Sequence, residues 1–345
     1  YGLEAALKYL FISAMGTLFL LLGVAALYAT FGTLNMADMA QVLASGERPL
    51  LARAATVMLM CAFLLKSAVF PFHFWQPDFH TTAPTPVSAM LSSVVVKIGI
   101  YGILRMLTLL FNEESHTIEA WLIILGLIGI FFGSLGALRT YNAKRMLAYS
   151  TFGQIGFILV GIGWGTPLAL AAAIIYAFNH AFIKSALLML VGVVASHTKT
   201  KTAIFKDIVG AGHYTPTITG GLFFIGGLAL AGLPPMNGFI SKYILARSGL
   251  EAQEYGTLAL AIGGGIITLL YMMRAWQLIF QRQPETTTVA QKESGGDSLI
   301  APALLISACV MLGIFASPLV QVAMETVQQI NTPEIYIQAV GLVGG

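Results

Sequence analysis

The chain has 345 residues, 57% of them hydrophobic and only 10% charged, with a mean hydropathy of +0.82. Soluble globular domains carry about 25% charged residues, so this composition excludes a soluble enzyme or binding domain and reads as an integral membrane protein. The formal charge of +3 is spread over loops, with no basic block and no charged tail, which excludes a nucleic-acid footprint.

A membrane-spanning helix needs about 20 mostly apolar residues. In chain order the predicted spans fall near 5–29, 52–72, 84–110, 119–138, 146–164, 168–195, 217–247, 256–280 and 299–320. The first opens on YGLEAALKYL, with no initiator methionine and no signal peptide, as expected for a piece of a longer protein. Connections are short and polar, as in TYNAKR at 140–145 and HTKTKTAIFKD at 197–207. The longest is QRQPETTTVAQKESGGDS at 281–298, too small to be a domain. Cys61 and Cys309 lie far apart in apolar runs and read as inert packing residues.

Alternating the loops across the membrane tests this count. One side collects ten basic residues: Lys8, Arg139, Lys144, Arg145, Lys199, Lys201, Lys206, Arg274, Arg282 and Lys292. The other collects four, Arg48, Arg53, Arg105 and Arg247, which places the N-terminus on the cytoplasmic side.

Two spans are interrupted. The second runs through LLKSAVFPFHFWQPDFH, breaking on Pro71 and Pro77, and the seventh carries LAGLPPMNGFISKYIL, where Pro234 and Pro235 must break the hydrogen-bond ladder. Broken backbone at bilayer depth is tolerated only where it lines protein or a water-filled cavity. A helix with Tyr and Arg near its end follows each break, Tyr101 and Arg105 in the first case, Tyr271 and Arg274 in the second. Recurrence of this kind points toward inverted-repeat transporters.

A lysine at a helix centre costs about 2.5–3.5 kcal/mol on insertion scales. Lys97, in SSVVVKIGIYG, lies midway along its span, roughly 13 residues or ~20 Å of helix from either end, too far to snorkel. Lys66 stands just before the first break and Lys242 seven residues after the second, where snorkelling competes with a role at the break. In YAFNHAFIKSALLML, His180 and Lys184 are four apart on one helix face, with Asn179 adjacent; histidine titrates near neutrality and suits a proton relay. His73 and His80 read as interfacial histidines that could feed protons toward Lys66.

The acidic residues Glu4, Asp38, Glu47, Asp78, Glu113, Glu114 and Asp207 lie at span ends or in loops. The buried amines therefore rely on water and carbonyls, or on a carboxylate in a segment outside this chain. No phosphate loop, HExxH or CxxC occurs, so no nucleotide, flavin, iron–sulfur cluster or other cofactor is expected.

The stretches KSAVFPFHFWQPDFHTTAPTPVSAMLSSVVVKIGIYGILRM, KRMLAYSTFGQIGFI, FNHAFIKSALL and GLPPMNGFISK, in this order, resemble the antiporter-like membrane subunits shared by respiratory complex I and Mrp-type sodium/proton antiporters. Within that family TFGTLNMADMAQVL at 30–43 is most similar to the D subunit of Mrp antiporters. The resemblance implies an all-α polytopic fold of two inverted repeats. The chain would enter at the sixth of fourteen core helices, with 1–110 finishing the first repeat, 119–280 forming the second and 299–320 the last helix. The family's glutamate, paired with the lysine before the first break, would precede this chain. Lys66, Lys97, His180 and Lys242 match the family's protonatable positions. The resemblance implies a water-linked lateral file of such groups at mid-membrane, working with homologous and small subunits of a hetero-oligomeric complex in a prokaryotic cell membrane. The expected function is proton translocation in a cation/proton antiporter, with Na+ as the family's coupled cation. The alternative is a proton-pumping, non-redox subunit of an NADH:quinone oxidoreductase or a membrane-bound hydrogenase. A third class, a scaffold whose lysines only bind lipid or bridge helices, fits the same residues.

Overall fold

The structure is a computed structural model and describes residues 2–44, 46, 49–111, 115–283 and 297–341. Glu47, Arg48, Glu113, Glu114, Lys292 and most of the 281–298 connection lie outside the described residues.

Among the described residues the regular structure is helical, with no strand. A 30-residue α1 (Gly2–Phe31) is followed by α2 (Met36–Ala44), α3 (Leu50–Lys66) and α4 (Trp75–Thr82). Next come α5 (Thr85–Met90), a π turn at Leu91–Val95 and α6 (Val96–Leu109), which together make one continuous span. The centre holds α7 (Ser115–Arg139), α8 (Ala143–Gly163) and α9 (Pro167–Ser196). A short α10 (Phe205–Ile208) leads to α11 (Ile218–Ala231), α12 (Asn237–Glu251) and α13 (Tyr255–Trp276). The chain closes with α14 (Ile300–Ile314), α15 (Ser317–Ile330) and α16 (Pro333–Gly341).

Length and apolarity qualify six of these helices as membrane crossings, or eight with two bent pairs, against the nine spans expected. The difference lies at the interruptions. The first piece of the broken second span, α3, has only 17 residues, and the expected straight helix 299–320 bends by 77° between α14 and α15. The other bent pair joins α10 and the turn after it to α11 at 118°.

Both breaks are built alike. After α3, Val69 N–H donates to the Leu64 carbonyl (3.0 Å), with Ala68 left-handed at φ 53°. After α11, Leu233 N–H donates to the Leu228 carbonyl (3.0 Å), with Gly232 left-handed at φ 83°. A six-to-one bond over a left-handed residue is the Schellman stop, which satisfies carbonyls a helix end would otherwise leave bare. Glycine takes that conformation freely at 232; Ala68 does so at a steric cost. Pro234 and Pro235 then forbid the helix from resuming before Asn237. In the first break only Pro71 lies in the gap. Pro77, expected to break the helix, sits in the first turn of α4, where its missing N–H leaves no bond unmade.

The innermost helix is α8, 94% buried over its best apolar window. It meets α7 through glycines. A Cβ at Gly126 would lie 2.7 Å from the Gly156 carbonyl oxygen, and one at Gly156 would lie 2.9 Å from the Ile130 nitrogen. Lipid is as apolar as leucine, so membrane helices associate by such close packing rather than by hydrophobic exclusion. The basic residues gather at one end of the bundle: Asp78 binds both Lys8 (2.6 Å) and Arg145 (3.0 Å), and Arg274 donates to the carbonyls of Leu138 and Thr140.

Gly156→Leu is expected to force α7 and α8 apart at a cost of about 1–3 kcal/mol, the usual range for overpacking. Thermal unfolding of the purified full-length protein in detergent checks this, and an unchanged midpoint would contradict the packing described.

Candidate functional site

Lys97 is twelve residues from each end of the Thr85–Leu109 span, as the sequence suggested. Its ammonium donates to the main-chain oxygen of Ser92, inside the π turn. A π turn interrupts the regular ladder of carbonyl acceptors and leaves an oxygen for a side chain to reach. The Ser92 hydroxyl lies 2.6 Å from that of Thr151 on α8, and Thr151 donates to the Leu147 carbonyl at 3.0 Å. Having spent its one proton there, Thr151 must accept from Ser92. The same Leu147 oxygen accepts from Lys184 at 2.7 Å. Polar groups thus step from Lys97 on α6 to Lys184 on α9 across α8, with Ser92 contributing its carbonyl to Lys97 and its hydroxyl to Thr151, and with Thr151 and Lys184 sharing the Leu147 oxygen as acceptor.

Lys184 is 0% exposed and His180, one turn away on α9, is 1% exposed. Both ring nitrogens of His180 lack a protein hydrogen-bond partner among the described residues. The imidazole lines a small cavity with Gln154, Tyr176, Ile183 and Ser241. Tyr176 donates to the Gln154 carbonyl oxygen (2.6 Å), and the Gln154 amide donates to Thr268 on α13 (3.3 Å). Ser150 and Tyr271 share a further bond of 2.6 Å between α8 and α13. On the far side of the cavity Asn179 donates to the Asn237 carbonyl (3.1 Å) and to Ser241 (2.9 Å), pinning α9 to the first turns of α12. Buried polar atoms without protein partners are normally met by internal water, so this cavity is a natural place for one.

Lys242 follows Ser241 and turns back across the break. Its ammonium donates to the carbonyl of Ala231, the last residue of α11, at 2.8 Å, and lies 5.2 Å from the centre of the Phe157 ring. It borders an apolar cleft of about 380 Å3 shared with Phe239, Tyr243 and Leu258; Lys97 borders a similar cleft of about 410 Å3 with Tyr101 and Phe178.

Lys66 ends α3. Its ammonium donates to the Ser13 hydroxyl on α1 at 2.9 Å, and its stem passes Gly16. Next to it, the buried Ser67 hydroxyl has no partner among the described residues and faces Gly99, two residues beyond Lys97. None of Lys66, Lys97, Lys184, His180 and Lys242 forms an ion pair among the described residues; the amines are held by carbonyl and hydroxyl oxygens.

Several residues differ from expectation. His80 is 0% exposed, not interfacial, and with Gln76 it leaves every side-chain polar atom without a protein partner among the described residues. His73 stacks on Phe152 at 4.6 Å between ring centres. The paired Tyr and Arg positions also diverge: Tyr271 is buried while Tyr101 is exposed, and Arg105 stacks on Tyr336 while Arg274 binds carbonyls. Ser92, Thr151, Gln154 and Tyr176 went unread because a lone hydroxyl or amide in an apolar span is common. The spacing of two of them along α8, Thr151 three residues before Gln154, was the available signal. Glu119, also unread, lies one turn into α7 at the end of the bundle away from the basic cluster. It borders a polar cavity of about 240 Å3 with Thr108, Ser115 and Asn331 and pairs with His116 at 3.5 Å. Among the described residues no group of three or more His, Cys, Asp or Glu side chains could hold a metal ion.

Broken helices packed around buried amines and a buried imidazole define a polytopic membrane protein with its polar groups strung across the bilayer interior. The chain belongs to the family described as NADH:quinone oxidoreductase/Mrp antiporter, TM, whose match runs over residues 2–268. It is 33% identical to the D subunit of the Na(+)/H(+) antiporter of Alkalihalophilus pseudofirmus over 340 residues, 99% of this chain and 68% of that protein. It is 35% identical to the N subunit of the NADH-quinone oxidoreductase of Desulforudis audaxviator over 276 residues, 79% of this chain and 54% of that protein. Among solved structures, a chain of the Mrp complex from Dietzia sp. superposes with a TM-score of 0.87 at 26% identity, covering 98% of this chain and 70% of that one. A chain of the membrane-bound sulfane sulfur reductase, an archaeal respiratory membrane complex, superposes with a TM-score of 0.86 at 27% identity, covering 97% and 67%.

Lys184 is buried with one carbonyl for its amine, an arrangement that is costly to maintain. Lys184→Met, which keeps the stem and removes the amine, is expected to leave the thermal midpoint in detergent unchanged or raise it. A fall of more than about 4 °C, roughly 1–2 kcal/mol on a protein of this size, would mean that the amine holds α8 and α9 together.

Proposed function

We propose that this chain is a proton-translocating membrane subunit of a multisubunit Na+/H+ antiporter, in which Lys66, Lys97, Lys184, His180 and Lys242 pass protons laterally across the bilayer interior. The observation that carries this reading is that Lys97, Lys184 and Lys242, deep in the bundle, donate to neutral carbonyl oxygens among the described residues, with the hydroxyls of Ser92 and Thr151 lying between the first two. A scaffold has no need of unpaired amines at this depth. Among the described residues each amine is bonded to neutral oxygens and none to a carboxylate, and in this reading each exchanges a proton with the next. In this reading the hydroxyls of Ser92 and Thr151 exchange protons with the amines through intervening water, and His180 in its cavity does the same. A charge change at one site alters the proton affinity of the next because the intervening medium is of low dielectric.

In this reading Lys66 and Lys242 stand at equivalent breaks of two inverted repeats, the first finished by 1–110 and the second formed by 119–280. In this reading Lys66 takes its controlling carboxylate from outside the described residues, and Lys242 faces a neighbouring homologous subunit through its lateral cleft. Protons and Na+ are the translocated ions, and the basic end of the bundle faces the cytoplasm.

A second reading, a proton-pumping subunit of an NADH:quinone oxidoreductase or a related respiratory complex, draws support from the identity to the oxidoreductase N subunit and the superposition on the sulfur reductase. Purifying the complex under native conditions separates the two: small antiporter subunits favour the first, hydrophilic redox subunits the second.

Lys97→Ala in the full-length protein is expected to lower proton flux in everted vesicles by about a hundredfold or more, the scale set by a positioned proton-transfer group, while the complex still assembles. Thr151→Val is expected to lower it by a smaller factor. Undiminished flux in Lys97→Ala would contradict the relay.

A further inference from the structure

At the basic end of the bundle lies a pocket that the relay does not use. It occupies about 550 Å3 and is lined by Thr81, Arg139, Thr140, Tyr141, Arg145 and Tyr149. Arg139 is exposed and has no ion-pair partner among the described residues. Arg145 gives one contact to Asp78 at 3.0 Å and stacks over Tyr149 at 5.9 Å, which leaves most of its five N–H donors for another acceptor. Two guanidinium groups with hydroxyls beside them form a set suited to a phosphate, which arginine grips in a fork.

The surface below the pocket narrows the source of that phosphate. On α7, Ile128, Phe132 and Leu135 are 38%, 45% and 56% exposed and fall at helical spacing on the face that ends at Arg139. From Ile128 to Arg139 this stripe is ~16 Å long at 1.5 Å per residue, about half of a 30 Å hydrocarbon core and hence one leaflet deep. A free anion would need the arginines but not the stripe.

We infer that this pocket binds the phosphate headgroup of an anionic phospholipid of the cytoplasmic leaflet, with an acyl chain lying along Ile128, Phe132 and Leu135. Basic pockets between spanning helices on that side are suited to such headgroups. The site has a mechanical connection: Arg145 also holds Asp78 on α4, the second piece of the first broken helix, so lipid and α4 share one guanidinium. Occupancy of the pocket therefore bears on the segment that follows Lys66.

The test uses the purified full-length protein in its complex, delipidated in neutral detergent. Phosphatidylglycerol is expected to raise the thermal midpoint by several degrees, whereas phosphatidylcholine with the same acyl chains and inorganic phosphate alone leave it in place. Arg139→Gln should keep the lipid-free midpoint, since Arg139 has no ion-pair partner among the described residues, and lose the phosphatidylglycerol shift. Leu135→Asn should weaken the shift while leaving any response to inorganic phosphate unchanged. An equal shift with phosphatidylcholine, an equal shift in Arg139→Gln, or no shift at all would overturn the assignment. A full shift with inorganic phosphate would make the pocket a free-anion site and overturn it as a lipid site.

Discussion

Charged amines at bilayer depth need a compensating negative potential, and among the described residues no carboxylate pairs with those of this relay. Main-chain oxygen takes that role for Lys97, Lys184 and Lys242, and a hydroxyl for Lys66. Lys97 reaches the Ser92 carbonyl inside a π turn, and Lys242 reaches the carbonyl of the last residue of α11. Lys66 is itself the last residue of α3. The C-terminal end of a helix carries roughly half a negative charge. A helix cut short inside the membrane thus presents a partial anion where a whole helix would present none. At the second break the gap and the lysine are one device: the end of α11 supplies the oxygen that receives the Lys242 amine.

That constraint organises the helices around it. The polar faces of α8 and α9 point inward, since Ser150, Thr151 and Gln154 on α8 have no acceptors in lipid. Their partners come from the π turn before α6, from α9 and from α13, so the buried polar groups tie α8 to the helices around it. Glycines on α7 and α8 let two backbones touch on the remaining side. The piece beyond the first break is held from outside this centre, through Asp78 to Lys8 and Arg145. The relay and the membrane surface are joined through α4.

Much of the interrupted architecture was readable from residue type. Two adjacent prolines after a glycine leave few conformations other than a left-handed stop and a gap, and Gly232, Pro234 and Pro235 form such a stop. The first break was harder to place, because Pro77 is compatible with starting a helix as well as ending one. Its true stop uses Ala68, a residue with no preference for that conformation. The π turn before Lys97 has no proline or glycine to announce it, whereas the bend between α14 and α15 is marked by Gly313 and Pro318. The π turn depends on how neighbouring helices pack.

By itself the sequence determined that the protein lies in a membrane, where its chain is interrupted, and that Lys97 cannot reach water by stretching. Those follow from hydropathy, proline chemistry and the 1.5 Å rise of a helix, all local quantities. Only the tertiary structure decided what each amine binds, that His80 is buried, and that Lys184 and Thr151 share the Leu147 carbonyl. The physical reason is that a membrane helix can be apolar on every side. Lipid and helix interface make nearly the same demand on a side chain, so the pattern along the sequence does not say which face meets a partner until the helices are packed.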